Sequence, residues 1–185
     1  MSLGHDIAKL AGKALSSIHA GDETLARARL VTGLSPSITV TSPLFENGAT
    51  LPRQCTVDGV GVPPALRWTD PPRPAQSFVL LAEDPDAPKS KPFVHWLVYQ
   101  ISGDARSLDR ASAQRAEQGE NGSSGLGFTP AAPPPGHGLH HYHFQLFALD
   151  KGVALDPGAS RADVLKAAAG HVIAFGDLVG TYERQ

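Results

Sequence analysis

The sequence predicts a mainly β domain of short strands, with few helices and a helical extension at its N-terminal end. Two observations point there. Glycine and proline supply 19 and 16 of 185 residues, well above an ordinary usage of about 12%, which suits many turns between short strands better than a helix bundle. The texture also changes at residue 37, from a stretch of helix formers to short β-prone runs broken by Pro, Gly and Asp. A chain of this length buries enough surface to hold one domain together without covalent staples.

Taken in order, residues 6–30 place Ile7, Leu10, Ala11, Ala14, Leu15 and Ile18 at spacings of three and four, which predicts an amphipathic helix. Its stripe is expected to pack on the body or on a second copy, since the polar face has too few cations for a membrane surface. Residues 1–36 therefore read as an extension, a candidate lid or homodimer contact, and 37–185 as the β domain. Within the latter, SITVTSPLF, ALRWTD, QSFVLLAEDPD, FVHWLVYQI and HHYHFQLFALD read as strands. The run SFVLLA is almost continuously apolar, as a strand covered on both faces would be, whereas ITVTS alternates like one with a wet face. Residues 101–138 have little apolar periodicity and read as one long loop, of the kind that is functional or mobile. A short helix follows, with Ser160 as N-cap and Gly170 as its stop, and a last strand from His171. There is no internal repeat.

Bulk properties exclude several classes. Sixteen basic against eighteen acidic residues leave a net charge of -2, so no overall field attracts nucleic acid or an acidic membrane, and any anion site must be local. One cysteine, Cys55, permits no intrachain disulfide. No apolar run approaches the roughly 20 residues of a membrane span, and Lys9, Gly12 and Lys13 interrupt the opening segment where a signal peptide would be apolar. A cytoplasmic protein without stable membrane insertion is expected.

Three stretches hold chemistry-bearing residues. In EDPDAP, carboxylates emerge at the end of an apolar run, and two prolines stiffen the turn. Asp84 and Asp86 can serve as Asx-turn acceptors for loop amides or as ligand-binding groups. In FVHWLVYQI, period-two alternation puts His95, Leu97 and Tyr99 on one face, opposite Val94, Trp96 and Val98. His95 is then either a satisfied core histidine or a site residue. In GLHHYHF the same parity separates His140 and Tyr142 from His141 and His143, which become sheet-face residues, so three adjacent histidines are not a three-ligand metal site. His95, His140 and a carboxylate match a zinc or iron ligand set by residue type. There is, however, no HExxH and no cysteine pair, and no metal or cofactor is assigned. GxSxG is absent, and the glycines of GENGSSGLG are not followed by GK[ST]. Asp, His and Tyr at strand ends suit the capture of a phosphate or carboxylate. Imidazole and phenol donate hydrogen bonds, imidazolium supplies charge, and a buried aspartate raises a neighbouring histidine's pKa.

DGVGVPPALRW, AEDPDAP, HWLVYQI, PPPGHGLHHYHFQLFALD and LVGTYER occur together in an order that resembles the phosphatidylethanolamine-binding protein family, in its bacterial Raf-kinase-inhibitor-like branch. The resemblance covers about residues 37–184. It implies an antiparallel β-sandwich of a large and a smaller sheet, few peripheral helices, and a small anion pocket at one end. Residue by residue it selects Asp84 and Asp86 of the DPDAP motif, His95 before the aromatic, and His140 and Tyr142 of the GxHxY motif. Two positions depart from the family pattern: Thr129-Pro130 stands where a glycine pair is usual, and His141 where an arginine is usual. The first removes a backbone donor and adds bulk, so a narrower or altered pocket is expected. The leading expectation is a protein that captures a small anionic ligand, with modulation of a protein partner as a further role open to it. The alternatives are a metal-assisted or acid-base hydrolase using His95, His140 and Asp84, and an interaction scaffold whose pocket is vestigial.

Overall fold

The computed structural model describes residues 3–15 and 17–184. In chain order the helices are α1 (Leu3–Leu15), α2 (Ala26–Leu30), α3 (Arg110–Ala113) and α4 (Arg161–Ala168), with short 3-10 turns at Asp22–Thr24 and Arg53–Cys55. The strands are β1 (Val40–Thr41), β2 (Leu66–Trp68), β3 (Ser77–Asp84), β4 (Phe93–Ser102), β5 (Ser107–Leu108), β6 (Glu117–Gln118), β7 (His140–Leu149) and β8 (Val172–Tyr182). They form a five-stranded sheet ordered β6-β4-β3-β7-β8 and a three-stranded sheet ordered β1-β2-β5, with every pairing antiparallel.

The sequence explains why β3 lies at the centre. All eight of its residues are buried, so both of its faces are covered, as SFVLLA implied. Phe78, Leu80 and Ala82 turn to one side and meet Trp96, Val98, Phe144 and Leu146 of the neighbouring strands together with Val40, Leu66, Trp68 and Leu108 of the small sheet. Val79 and Leu81 turn to the other side, against Leu97, Tyr99, Phe147 and Phe175, and are covered by Ala26 of α2 and Val164, Leu165 and Ala168 of α4. The result is a sandwich of two sheets with a helical layer on the outer face of the larger one. Each large apolar side chain so enclosed contributes about 1.5–3 kcal/mol relative to exposure.

The helical layer is fixed by a buried ionic knot. Glu83 has no exposed surface and accepts from the Ala26 amide at 2.8 Å, from Gln145 Nε2 at 2.7 Å, and from Arg161 Nε. Arg161 also donates to the Thr24 carbonyl at 2.8 Å, so α2, α4 and β3 share one carboxylate. Such a group is tolerated in the interior because both of its oxygens accept hydrogen bonds and Arg161 balances its charge.

Several expectations need correction. The helix expected over 6–30 is broken: α1 ends at Leu15, and the chain passes through Gly21, at φ +82, before the 3-10 turn and α2. The Ala20 and Gly21 amides bond instead to the Pro85 carbonyl, at 2.9 and 3.3 Å, which ties this segment to the EDPDAP turn. The apolar stripe of α1 does not pack on the body, since Ile7 and Leu10 are 59% and 68% exposed. The strand expected over 37–45 shrinks to Val40–Thr41. Residues 101–138 are not one loop, because β5, α3 and β6 lie within them. Ser160 does cap α4, in a capping box with Asp163, and Gly170 follows at φ +78.

A further correction concerns β4. Leu81 and Ala82 oppose Leu97 and Trp96, but Glu83 opposes Val94, so the register shifts by one residue at His95. A second shift lies between Phe78 and Leu80, where Gln100 takes φ +55. Simple alternation put His95 with Leu97 and Tyr99. The bulge instead sends Val94 to the helical face and releases His95 toward the end of β3 where Asp84 stands.

Candidate functional site

The site begins where β3 ends. Asp84 is 3% exposed. Its Oδ1 accepts the amides of Asp86 at 2.8 Å and Ala87 at 3.1 Å, and its Oδ2 lies 2.8 Å from His140 Nδ1. The Asx turn and the site role are therefore one arrangement: the turn amides hold the carboxylate still while its second oxygen faces the histidines.

His95 is buried beside it. Nδ1 lies 2.7 Å from the Thr129 carbonyl, which only accepts, so Nδ1 bears the hydrogen and the neutral ring presents Nε2 as a bare acceptor. Nε2 stands 4.0 Å from Asp84 Oδ2, beyond hydrogen-bond reach. Burial lowers the His95 pKa and outweighs the Thr129 carbonyl and Asp84, which pull it up; His140 adds to the lowering. This reverses the expectation that the aspartate would raise it, because desolvation of a fully enclosed ring exceeds one carboxylate's attraction.

His140 is one link of a longer chain. His140 Nε2 is 2.7 Å from His137 Nδ1, and His137 Nε2 is 3.0 Å from the Leu15 carbonyl at the end of α1. The polar chain thus runs from the pocket floor to α1. It is possible because α1 lies against the loop before β7: a Cβ on Gly12 would stand 2.1 Å from the Pro135 carbonyl, and one on Gly136 2.8 Å from the Lys9 carbonyl.

Tyr142 shares the β7 face of His140, as parity required. Its ring meets His95 edge-on at 5.0 Å and stacks on His140 at 6.5 Å. It lies beneath the imidazoles, not on the cavity wall. Its phenol oxygen is buried without a hydrogen-bond partner, and burial together with Asp84 and Asp86 pushes its pKa far above the usual phenol value.

Asp84, His95 and His140 line a cavity of about 250 Å³. Phe93 and four prolines, 88, 130, 133 and 134, form apolar walls, and Lys89 stands at the edge with Nζ 4.7 Å from the Phe93 ring centre. Such a volume lies below the roughly 300–1,000 Å³ of drug-sized sites and suits a small polar group. The Thr129-Pro130 departure is built into the wall. The Thr129 amide donates to the His95 carbonyl at 2.7 Å while the Thr129 carbonyl holds the His95 ring, and Pro130 offers no donor.

The structure does not bring Asp86 to this group. Its carboxylate turns outward, accepting the His141 amide at 2.8 Å with Oδ2 2.8 Å from His141 Nδ1. His141, read as a sheet-face residue, is thus a clamp on the EDPDAP turn. His143 belongs to the opposite face, under α2, where its Nδ1 lies 2.8 Å from Asp177. His137 and Lys89 were missed. His137 sits in a proline- and glycine-rich loop where no parity applies, and only its spacing of three from His140 hinted at a role. Among the described residues no group of three or more His, Cys, Asp or Glu is arranged to hold a metal ion. No helix of the described residues is long and apolar enough to cross a membrane.

Comparison with known proteins bears on the family and the fold. The family profile described as phosphatidylethanolamine-binding protein matches residues 41–183. A UPF0098 protein of Pyrococcus abyssi is 38% identical over 152 residues, covering 78% of this chain and 84% of its own length. A phosphatidylethanolamine-binding protein homologue from Chlamydia trachomatis superposes with a TM-score of 0.75 at 35% identity, over 82% of this chain and 100% of its own. YbcL of Escherichia coli superposes at 0.74 with 29% identity, over 80% of this chain and 99% of its own.

Proposed function

This chain belongs to the phosphatidylethanolamine-binding protein family, and on that premise we propose that it binds a small oxyanion that still has a proton to share, such as a phosphate monoester, between His95, Asp84 and His140. The observation behind this reading is the state of His95. With Nδ1 committed to Thr129, its free nitrogen accepts and does not donate, and the nearest carboxylate oxygen stands 4.0 Å away. A fully ionised phosphate would meet two acceptors there, whereas a phosphate with one P–O–H donates to His95 Nε2 or Asp84 and leaves its charged oxygens for Lys89. The cavity volume fits a group of this size.

The test compares methyl phosphate, which keeps one O–H until its second ionisation at about pH 6, with dimethyl phosphate, whose single acidic proton is already lost at that pH, by NMR titration of the ¹⁵N-labelled protein. Methyl phosphate is expected to saturate shifts at His95, Thr129 and His140, dimethyl phosphate to bind at least tenfold more weakly, and His140→Ala to lose both while staying folded. Equal binding of the two esters, or binding untouched by His140→Ala, would contradict the proposal.

A further inference from the structure

Beside the small cavity runs a much larger groove, of about 1020 Å³, between α2, the β3–β4 loop, residues 120–122 and α4. Its rim gathers Arg29, Lys89, Lys91, Arg161 and Lys166 against a single acid, Glu120. Arg161 is neutralised by the buried Glu83, and allowing one more cation for Glu120 still leaves three positive charges facing one concavity. In a chain of net charge -2 this is a local concentration, not a reflection of overall composition. Arg29 and Lys91 form no ion pair among the described residues, and Lys166 feels Asp163 only through space. The floor is apolar, made by Leu30, Phe93, Val94 and Leu165.

The geometry points to a second binding site in this groove, one that takes an extended segment of a partner protein bearing acidic and apolar side chains. A cationic rim over an apolar floor complements such a segment in both respects. The volume stands at the upper limit of small-molecule sites, about 1,000 Å³. A bilayer meets protruding surface and cannot fill a concavity. A single-stranded nucleic acid would need exposed aromatic faces for stacking, but the one aromatic residue lining the groove, Phe93, has Lys89 over its ring.

The groove and the small cavity share Lys89 and Phe93, but the groove does not need an occupied pocket. The experiment uses the full chain and a fluorescein-labelled peptide alternating Glu and Leu, read by anisotropy at 50 and 300 mM salt, with phosphatidylserine vesicles tested in parallel. Saturable binding is expected, weakened at least tenfold by high salt and at least tenfold by Lys91→Glu with Lys166→Glu, two exposed changes whose folding is checked by circular dichroism. His140→Ala, which tests the pocket, is expected to leave the peptide affinity unchanged. No saturable binding by the native chain, binding indifferent to the charge reversals, loss of binding in His140→Ala, or capture of vesicles without the peptide would each overturn the assignment.

Discussion

His95 shows how one residue's surroundings decide a ligand's chemistry. Its hydrogen bond to Thr129 fixes the tautomer, and burial keeps the ring neutral at neutral pH by lowering its pKa. The sign follows: the unfolded chain takes up this proton near the ordinary value of about 6.5, the folded one only at lower pH, so His95 costs stability as pH falls below 6.5 and costs nothing above it. Ligand binding runs the opposite way, because the complex holds one proton between Nε2 and the phosphate oxygen. A phosphate monoester loses its own second proton near pH 6. The affinity for methyl phosphate should therefore fall about tenfold per pH unit above roughly pH 7, by the linkage of one proton. Calorimetry at pH 6, 7, 8 and 9 measures the slope, and an affinity independent of pH would mean that the proton is not shared.

At the scale of elements, the site depends on one bulge and one helix contact. Alternation along HHYHF was enough to group His140 with Tyr142, because β7 pairs with β8 in unbroken register from His140 to Ala148. It was not enough for His95, since a bulge is set by the partner strand's register and leaves no mark in a run such as FVHWLVYQI. The EDPDAP turn was legible as a rigid acceptor turn. That Asp86 would serve His141 and not the cavity depended on how β7 ends beside that turn. The contact of α1 was likewise hidden: the stripe drawn by its apolar spacing does not meet the body, because the helix docks there through Gly12, whose missing side chain lets it reach the Pro135 carbonyl. Gly12→Leu should lift α1 away and break the His137 bond to Leu15. Hydrogen exchange is then expected to show lost protection confined to residues 3–15 and the loop around His137, with a melting temperature within a few degrees of native. Cooperative loss of protection across β3 and β7 would show instead that α1 is part of the core.

For the whole molecule, the architecture separates stability from binding. The apolar layers on both faces of the large sheet and the Glu83 knot hold the body together, and the polar residues of the site gather at one end, where β3 stops and β7 starts. The central strand β3 was legible in the sequence because burial on both faces writes a continuous apolar run, whereas the two-residue strands β5 and β6 carry no such signal. The cavity was not, since its walls come from prolines in residues 130–134 that have no periodicity. The most direct measurement is a crystal structure grown at pH 6 with methyl phosphate. The expected result places the phosphorus in the cavity, with one oxygen within 3.2 Å, about the limit of a hydrogen bond, of His95 Nε2 and another within reach of Lys89 Nζ. An empty cavity at saturating ligand, or phosphate held only in the groove by Lys91 and Lys166, would contradict the account.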